Sequence, residues 1–540
     1  MKSEVRMRCM SVALIVAGIL MLLIPVVAWA EEIPPGPETS LPDYIGAPAK
    51  AHPLANNGVP QNPFLAPNAF AHAHKDIWMS DSGNVAGPLG RNPIVLSTTL
   101  PDTHPNSWLT TCGSYGFDSH GRLIVSCWGA DEASIVMLDP DTLEVLTYYP
   151  LEVEAGLVGE GAQKFPKAFY SVYGYLDNRD QLHLVSGGKK LITLGNVGTP
   201  SNPVLGQVGD VYDLSELVGS DDRISGVMAD FQGRYWINMG NSANIYLLNP
   251  ATYKDNRDVK SVNLHGDDGQ LEFTRNGMAL TREGAAYIVT TKAMYRVDVD
   301  TNDQPYMVWR QPYDTVPSDT NDDEYVNGVR SGQVELGSGT TPTILGEGKY
   351  VAITDNARRM KVVVFRTDAQ LGPKEERIVC EVPVFDFPGG GAGANSNSLV
   401  GSRHSIIVQN TSDYLWDWAE YENAHLDSPG KPGITRIDIN PNGRGCTKVW
   451  ENTEVAAVMT LELSTRTGLI YTQDRKYDDE NDVNAYYFVA LDFRTGEAVW
   501  EKLVGTGDMF DNWWLPVAIG PNGALYGMVY GGVTMMRDTP

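Results

Sequence analysis

From about residue 92 the chain alternates short apolar runs with turn-forming residues, and the alternation repeats itself. Each unit reads as an apolar strand, a turn holding Gly or a polar residue, a second strand, a third strand ending in a phrase like Leu-Asp-x-x-Thr-Gly, and a fourth containing Trp or Val. The first turns are anchored at Gly121, Asp180, Gly233, Gly284, Gly348, Arg403, Gly468 and Gly523, so the unit recurs roughly every 57 residues. Four-stranded units at this spacing predict an all-β fold, a single β-propeller of eight four-stranded blades over residues 92–540, because each sheet can bury its faces only against its neighbours. The alternative is two unequal β domains, but no linker interrupts the repeat.

The last unit stops one strand short. The run Ile94-Val95-Leu96-Ser97-Thr98-Thr99-Leu100-Pro101 resembles the fourth strand of the first unit, Val145-Leu146-Thr147-Tyr148-Tyr149-Pro150. It is expected to complete the last blade and close the ring, which removes an open edge. Residues 31–91 differ in character. Nine prolines from Pro34 to Pro67 break regular structure, while Phe64, Phe70 and Trp78 supply surface to bury, so the segment predicts an extended arm lying across the main domain. Within it, His72-Ala73-His74 puts two imidazoles on one side of an extended chain; a hydrogen-bonded pair is preferred to a metal site, because no nearby cluster completes a ligand set.

The N-terminus changes the expected compartment. Lys2, Arg6 and Arg8 precede an apolar run over residues 12–27, and Ala28-Trp29-Ala30 is a small-x-small cleavage box. Residues 1–30 therefore read as a signal peptide, with an uncleaved anchor helix as the rival reading. A periplasmic or extracellular protein with no membrane span after cleavage is expected. The formal net charge of −26 makes nucleic acid an unfavourable partner. Cys112 and Cys127 flank the turn 118–121 symmetrically, so a tight hairpin sets them opposite each other as a cross-strand disulfide. Reduced buried thiols are the alternative there. The pairing of Cys380 and Cys446 is open.

The segment Ala490-Leu491-Asp492-Phe493-Arg494-Thr495-Gly496-Glu497-Ala498-Val499-Trp500 resembles the docking motif of quinoprotein-like propellers, the PQQ-repeat superfamily, with partial versions at Leu138–Thr142, Val297–Thr301 with Trp309, and Ile437–Asp438 with Trp450. The resemblance implies that these turns and tryptophans hold adjacent blades together. The adjacent cysteine pair that many of its quinone enzymes carry is absent, which does not favour a PQQ cofactor, and no c-type haem motif is present. The phrase Arg275-Asn276-Gly277-Met278-Ala279-Leu280 resembles, over one blade, gluconolactonase and senescence-marker-type propellers, in which the equivalent Asn binds a central Ca²⁺.

Propeller geometry directs the starts of inner strands and the ends of second strands to a central funnel. Asn238, Asn241, Arg275, Asn276, Asp355, Asn356, Asn395, Asn397, Glu462, Asp474, Arg475 and the pair Trp513-Trp514 occupy such positions. Asn238, Asn276, Asn356 and Asn397 are the oxygen donors a Ca²⁺ ion prefers. Arg275, Asp474, Arg475, Trp513 and Trp514 are candidate ligand contacts, and Asp355 and Glu462 are candidate bases. His104 is a further residue to test as a base. Three functions follow: a propeller that binds a small ligand or an extracytoplasmic protein at the funnel, with or without Ca²⁺; a Ca²⁺-dependent lactone or ester hydrolase; and a PQQ-type quinone-dependent oxidoreductase.

Overall fold

The computed structural model describes residues 31–100, 111–128, 132–153, 157–158, 165–166, 173–266, 272–274, 276–385, 395, 398–417 and 425–540. The expected signal peptide and the candidate base His104 fall outside these residues, as do Arg275 and Asn397.

Eight antiparallel sheets follow one another along the chain. Blade 1 consists of Thr111–Phe117, Leu123–Trp128, Ala133–Leu138 and Val145–Leu151. Blade 2 begins at Tyr175–Leu176 and Leu182–Ser186, and its third strand, Lys190–Asn196, carries both Leu205–Gln207 and Tyr212–Asp213. Blade 3 runs from Ile224–Ala229 through Tyr235–Met239 to Lys260–Asn263, blade 4 from Ala279–Leu280 to Pro305–Pro312, and blade 5 from Thr343–Leu345 to Ile378–Pro383. Blade 6 runs from Val400–Ser402 to Cys446–Asn452 and is interrupted by a separate hairpin, Tyr414–Asp417 with His425–Pro429. Blade 7 holds Glu462–Ser464, Leu469–Asp478, Val483–Asp492 and Ala498–Thr506, and blade 8 holds Ala518–Ile519, Leu525–Val529 and Gly532–Arg537. The protein is thus an eight-bladed β-propeller. The strand Ile94–Thr98 pairs antiparallel with Gly532–Arg537, from Ile94 opposite Arg537 to Thr98 opposite Val533.

Inner and middle strands are buried on both faces, and outer strands such as Val145–Leu151 are half-exposed. The core therefore lies between blades. One cluster joins Val125, Val136 and Leu138 of blade 1 to Tyr526, Met528 and Met535 of blade 8, and another joins Ala352, Val362 and Val364 of blade 5 to Ile406, Val408 and Ile437 of blade 6. All eight first-turn anchors have left-handed backbone, with φ from 54° at Arg403 to 91° at Gly284. Six of them are glycine, which adopts that region without the Cβ clash.

The docking motif acts between blades. Trp450 of blade 6 lies on the turn of blade 7, where its Nε1 donates to Phe493 O at 3.0 Å, and a Cβ on Gly496 would meet its ring at 2.4 Å.

The arm differs from expectation. Residues 71–83 are all buried, because this part of the arm runs through the central channel of the ring rather than over its outside. Its backbone bonds the inner strands in turn: Leu176 N donates to Ala71 O (2.8 Å), Leu280 N to Ile77 O (2.9 Å), Ile344 N to Trp78 O (3.0 Å), Gly401 N to Ser80 O (2.8 Å) and Leu463 N to Asp81 O (2.9 Å). Inner strands of a propeller have unpaired edges facing the channel, and an irregular segment satisfies them where a regular strand could pair with only one. Ser82–Gly83 then joins blade 7 in parallel, and Tyr44–Gly46 pairs along that blade's outer edge.

Candidate functional site

Around the funnel mouth, side-chain amides link successive blades from blade 3 to blade 7. Asn238 Nδ2 donates to Ser225 Oγ (2.6 Å) and to Asn276 O (2.8 Å), and Asn276 Nδ2 donates to Ser338 O (3.3 Å). Asn356 Nδ2 donates to Asn395 O (2.8 Å) while its Oδ1 accepts Asn395 N–H (3.0 Å), and Asn395 Nδ2 reaches Gln409 O (3.0 Å). Gln409 Oε1 in turn accepts Leu461 N–H at 3.1 Å. The polar Asn positions are thus engaged as links from blade 3 to blade 7. Asn241 sits at the rim, bonded through Nδ2 to Asp221 O. Beside Asn238, whose Oδ1 has no partner among the described residues, a cavity of about 10 Å³ is bordered by His72 and Tyr173. That is room for one water.

The candidate bases stand apart from one another. Asp355 is fully buried on blade 5; its Oδ1 accepts Ala357 N–H (3.1 Å) and Lys361 N–H (2.8 Å), and Lys361 Nζ lies 3.5 Å from Oδ2. Burial pushes this carboxyl up to about 6 against those bonds. Lys361 also meets Asp314 and Glu381, so the three-carboxylate group formed by Asp314, Asp355 and Glu381 surrounds an ammonium. Glu462 lies on the channel axis, where Lys75 of the arm meets its Oε2 at 2.8 Å and Ile519 N–H donates to the same oxygen at 3.0 Å. Burial raises it to about 7, with Lys75 opposing.

The axis holds further ionisable groups. His74 Nδ1 lies 3.2 Å from both Asp81 oxygens, and Ser398 Oγ donates to Asp81 Oδ2. His72 Nδ1 accepts His74 N–H at 3.0 Å, and burial, aided by His74 and Lys75, holds His72 well below its ordinary value. The His-x-His pair is thus hydrogen-bonded and buried.

At the junction of blades 7 and 8, candidate ligand contacts do converge. Successive residues of Leu469–Asp478 face opposite sides. Asp474 faces away from blade 8, with Oδ1 accepting Ala456 N–H (2.7 Å) and Oδ2 meeting Lys476 Nζ (2.9 Å). Gln473 and Arg475 sit opposite Phe488 and Tyr486, which pack into the blade 7–blade 8 cluster with Trp513 and Trp514. The backbone ties the corner together: Val458 N donates to Gln473 O (2.9 Å), and Trp514 N donates to Val458 O (3.0 Å). The Trp513 and Trp514 rings are 5.9 Å apart, and Tyr414 from the inserted hairpin lies 4.8 Å from Trp514. Tyr486 Oη donates to Asp511 Oδ2 at 3.0 Å. Burial raises Asp511 to about 7, opposed by the nearby Arg475 charge. Gln473 is 0% exposed, yet neither its Nε2 nor its Oε1 has a partner among the described residues, and Arg475 Nε and Nη1 are likewise buried and unpartnered.

Sequence reasoning missed Gln473, Tyr486, Asp511 and Tyr414. The first two were legible as neighbours of marked strand positions. Tyr414 belongs to a hairpin whose docking has no local signal.

No family model matches the chain. An uncharacterized protein of Archaeoglobus fulgidus is 26% identical over 278 residues, which cover 48% of this chain, and the chain spans 51% of that relative's length. Among solved structures, a streptogramin B lyase aligns over 83% of this chain and 98% of its own at 12% identity and a TM-score of 0.35. BamB from Moraxella catarrhalis aligns over the same shares at 11% identity and a TM-score of 0.39.

Proposed function

We propose that this is a ligand-binding propeller whose site is the blade 7–blade 8 corner of the funnel mouth, and that the ligand is a small organic carboxylate. One observation carries the reading: a fully buried glutamine amide with neither end partnered among the described residues, next to a half-buried arginine, two of whose nitrogens are buried and likewise without a partner there. Each such group costs about 1–3 kcal/mol when left unsatisfied, so the arrangement favours a polar occupant. Arg475 offers the planar fork that suits a carboxylate, Gln473 offers one donor and one acceptor, and Trp514 with Tyr414 forms an aromatic wall. The net charge of −26 repels anions at long range. That repulsion is screened beyond about 8 Å at physiological ionic strength.

The same geometry supports binding over the two catalytic readings. Asp355 and Glu462 each have a lysine partner, Lys361 and Lys75, and neither carboxylate lies with Arg475. An extracytoplasmic location is part of the proposal, and the two disulfides support it.

The test is titration calorimetry and thermal shift with acetate, succinate, citrate and gluconate. Saturable binding with a raised midpoint is expected for at least one of them, since a ligand that prefers the folded chain stabilises it. Arg475→Gln should weaken that binding about tenfold or more, the value of a charge-assisted hydrogen bond. Absence of saturable binding by the wild-type protein to all four carboxylates would sink the proposal.

A further inference from the structure

A second cavity opens far from the mouth, on the face that carries the first turns, between blades 2 and 3. Its volume is about 610 Å³, within the range of small-molecule sites. Its floor is His183, buried with 6% exposure. The imidazole stacks on Tyr175 with centroids 4.7 Å apart and planes at 5°. Nε2 lies 3.1 Å from Asp177 Oδ2, while Nδ1 lies 3.2 Å from Thr193 Oγ1 and 3.3 Å from Tyr235 Oη.

Part of this arrangement is the ordinary turn of the fold. Asp118, Asp177 and Asp230 each accept two backbone N–H groups two and four residues on, and Asp230 Oδ2 takes Trp236 Nε1 (3.2 Å) where Asp177 takes His183. The Asp–His contact therefore belongs to the blade. What sets blade 2 apart is the open, aromatic-walled space above it.

The wall facing His183 comes from the arm. Phe64 is 41% exposed, and a Cβ on Gly233 would meet its ring at 2.7 Å, so the ring packs against that glycine. The turn that presents it is locked: Asn62, fully buried, donates through Nδ2 to Ala229 O (2.9 Å), and Asn178 Nδ2 donates to Pro63 O (2.7 Å). The site is thus pre-organised, which lowers the cost of binding. At the rim, Asn178 Oδ1 and Gln232 Nε2 have no bond to other described residues. Arg179, 67% exposed, is paired with Asp177 at 3.0 Å.

We propose that this cavity binds a neutral sugar residue. A pyranose has a flat C–H face and a rim of hydroxyls. Phe64 and Tyr235 offer the aromatic surface for the first. The Asn178 carbonyl, the Gln232 amide and the outer edge of the Arg179 guanidinium offer acceptors and donors for the second. Because Arg179 is neutralised by Asp177, no uncompensated charge selects an ion.

The experiment uses the full chain with glucose, galactose, mannose, N-acetylglucosamine and their β-linked disaccharides, followed by saturation-transfer NMR and calorimetry, with glucuronate as a charged counterpart. At least one neutral sugar should bind saturably. Phe64→Ala and Gln232→Ala should each weaken it tenfold or more with an unchanged unfolding midpoint, and Arg475→Gln should leave it unaltered, which separates this site from the carboxylate site. The idea is overturned if no neutral sugar binds, if only glucuronate binds, or if affinity survives Phe64→Ala unchanged. Asn62→Ala supplies a second check: it touches no sugar, and it should weaken binding by loosening the turn that carries Phe64.

Discussion

The most consequential single residues are buried acids whose neutral form the fold prefers. Burial raises Asp76 from 3.8 to about 7, outweighing the hydrogen bonds from Ser80 Oγ and from the Trp78 and Ser80 N–H groups. The folded chain then holds this proton more tightly than the unfolded chain. The stabilising contribution is full below about pH 4 and is lost as the pH rises through 7. Asp76→Asn cannot ionise, and it keeps an acceptor for both N–H groups. Its unfolding free energy, followed by urea titration across this range, should fall less steeply with pH than that of the wild type. Parallel curves would show that Asp76 does not titrate as burial dictates. Residue-level signals were also the most readable in the sequence. The eight turn anchors stand out because a left-handed turn selects Gly, and even the two exceptions, Asp180 and Arg403, have φ of 60° and 54°.

Among the elements, the arm is the most unusual. It supplies the axis with His72, His74, Lys75, Asp76 and Asp81, all at most 3% exposed. Its ionic anchor is Lys75 with Glu462, whose side chains are 4% and 2% exposed. Removing one partner of such a pair strands a buried charge and costs about 3–5 kcal/mol, whereas removing both costs much less. Lys75→Met should therefore destabilise the protein strongly and expose the arm to limited proteolysis. The double variant Lys75→Met with Glu462→Gln should recover most of the loss. If the double variant is as unstable as the single one, the arm is held by backbone bonding and packing rather than by this pair. The arm's existence was legible from its prolines. Its path was not, because bonds such as Leu280 N to Ile77 O span some 200 residues of sequence.

At the scale of the whole molecule, stability rests on contacts between neighbouring blades: the amide links at the mouth, Trp450 on the blade 7 turn, and a covalent bond. Cys112–Cys127 lies within blade 1 and matches the hairpin expectation, with a separation of 15 residues. Cys380–Cys446 joins the outer strands of blades 5 and 6 across 66 residues. Closing the longer loop removes more entropy from the unfolded chain, about 4 kcal/mol against about 3 for the shorter one. Replacing Cys380 and Cys446 with Ala should lower the urea midpoint and raise the m-value, because the unbridged unfolded chain exposes more surface. An unaltered midpoint would mean that packing alone holds these blades together.

The sequence by itself determined the all-β class, the blade count, the turn positions and the hairpin disulfide. These depend on interactions within a unit of roughly 57 residues, where period, glycine placement and symmetry about a turn are local quantities. Only the tertiary structure decided that the arm fills the axis, that Cys380 meets Cys446, and that Asp355, Glu462 and Asp474 pair with lysines while Nε and Nη1 of Arg475 and the Gln473 amide have no hydrogen-bond partner among the described residues. It alone set the hairpin carrying Tyr414 against Trp514. The physical reason is closure of the ring. Strand patterning specifies which face of a residue is buried, but which distant groups share that buried space, and whether a charge or an amide there finds a partner, follows from how eight sheets and one threaded segment meet.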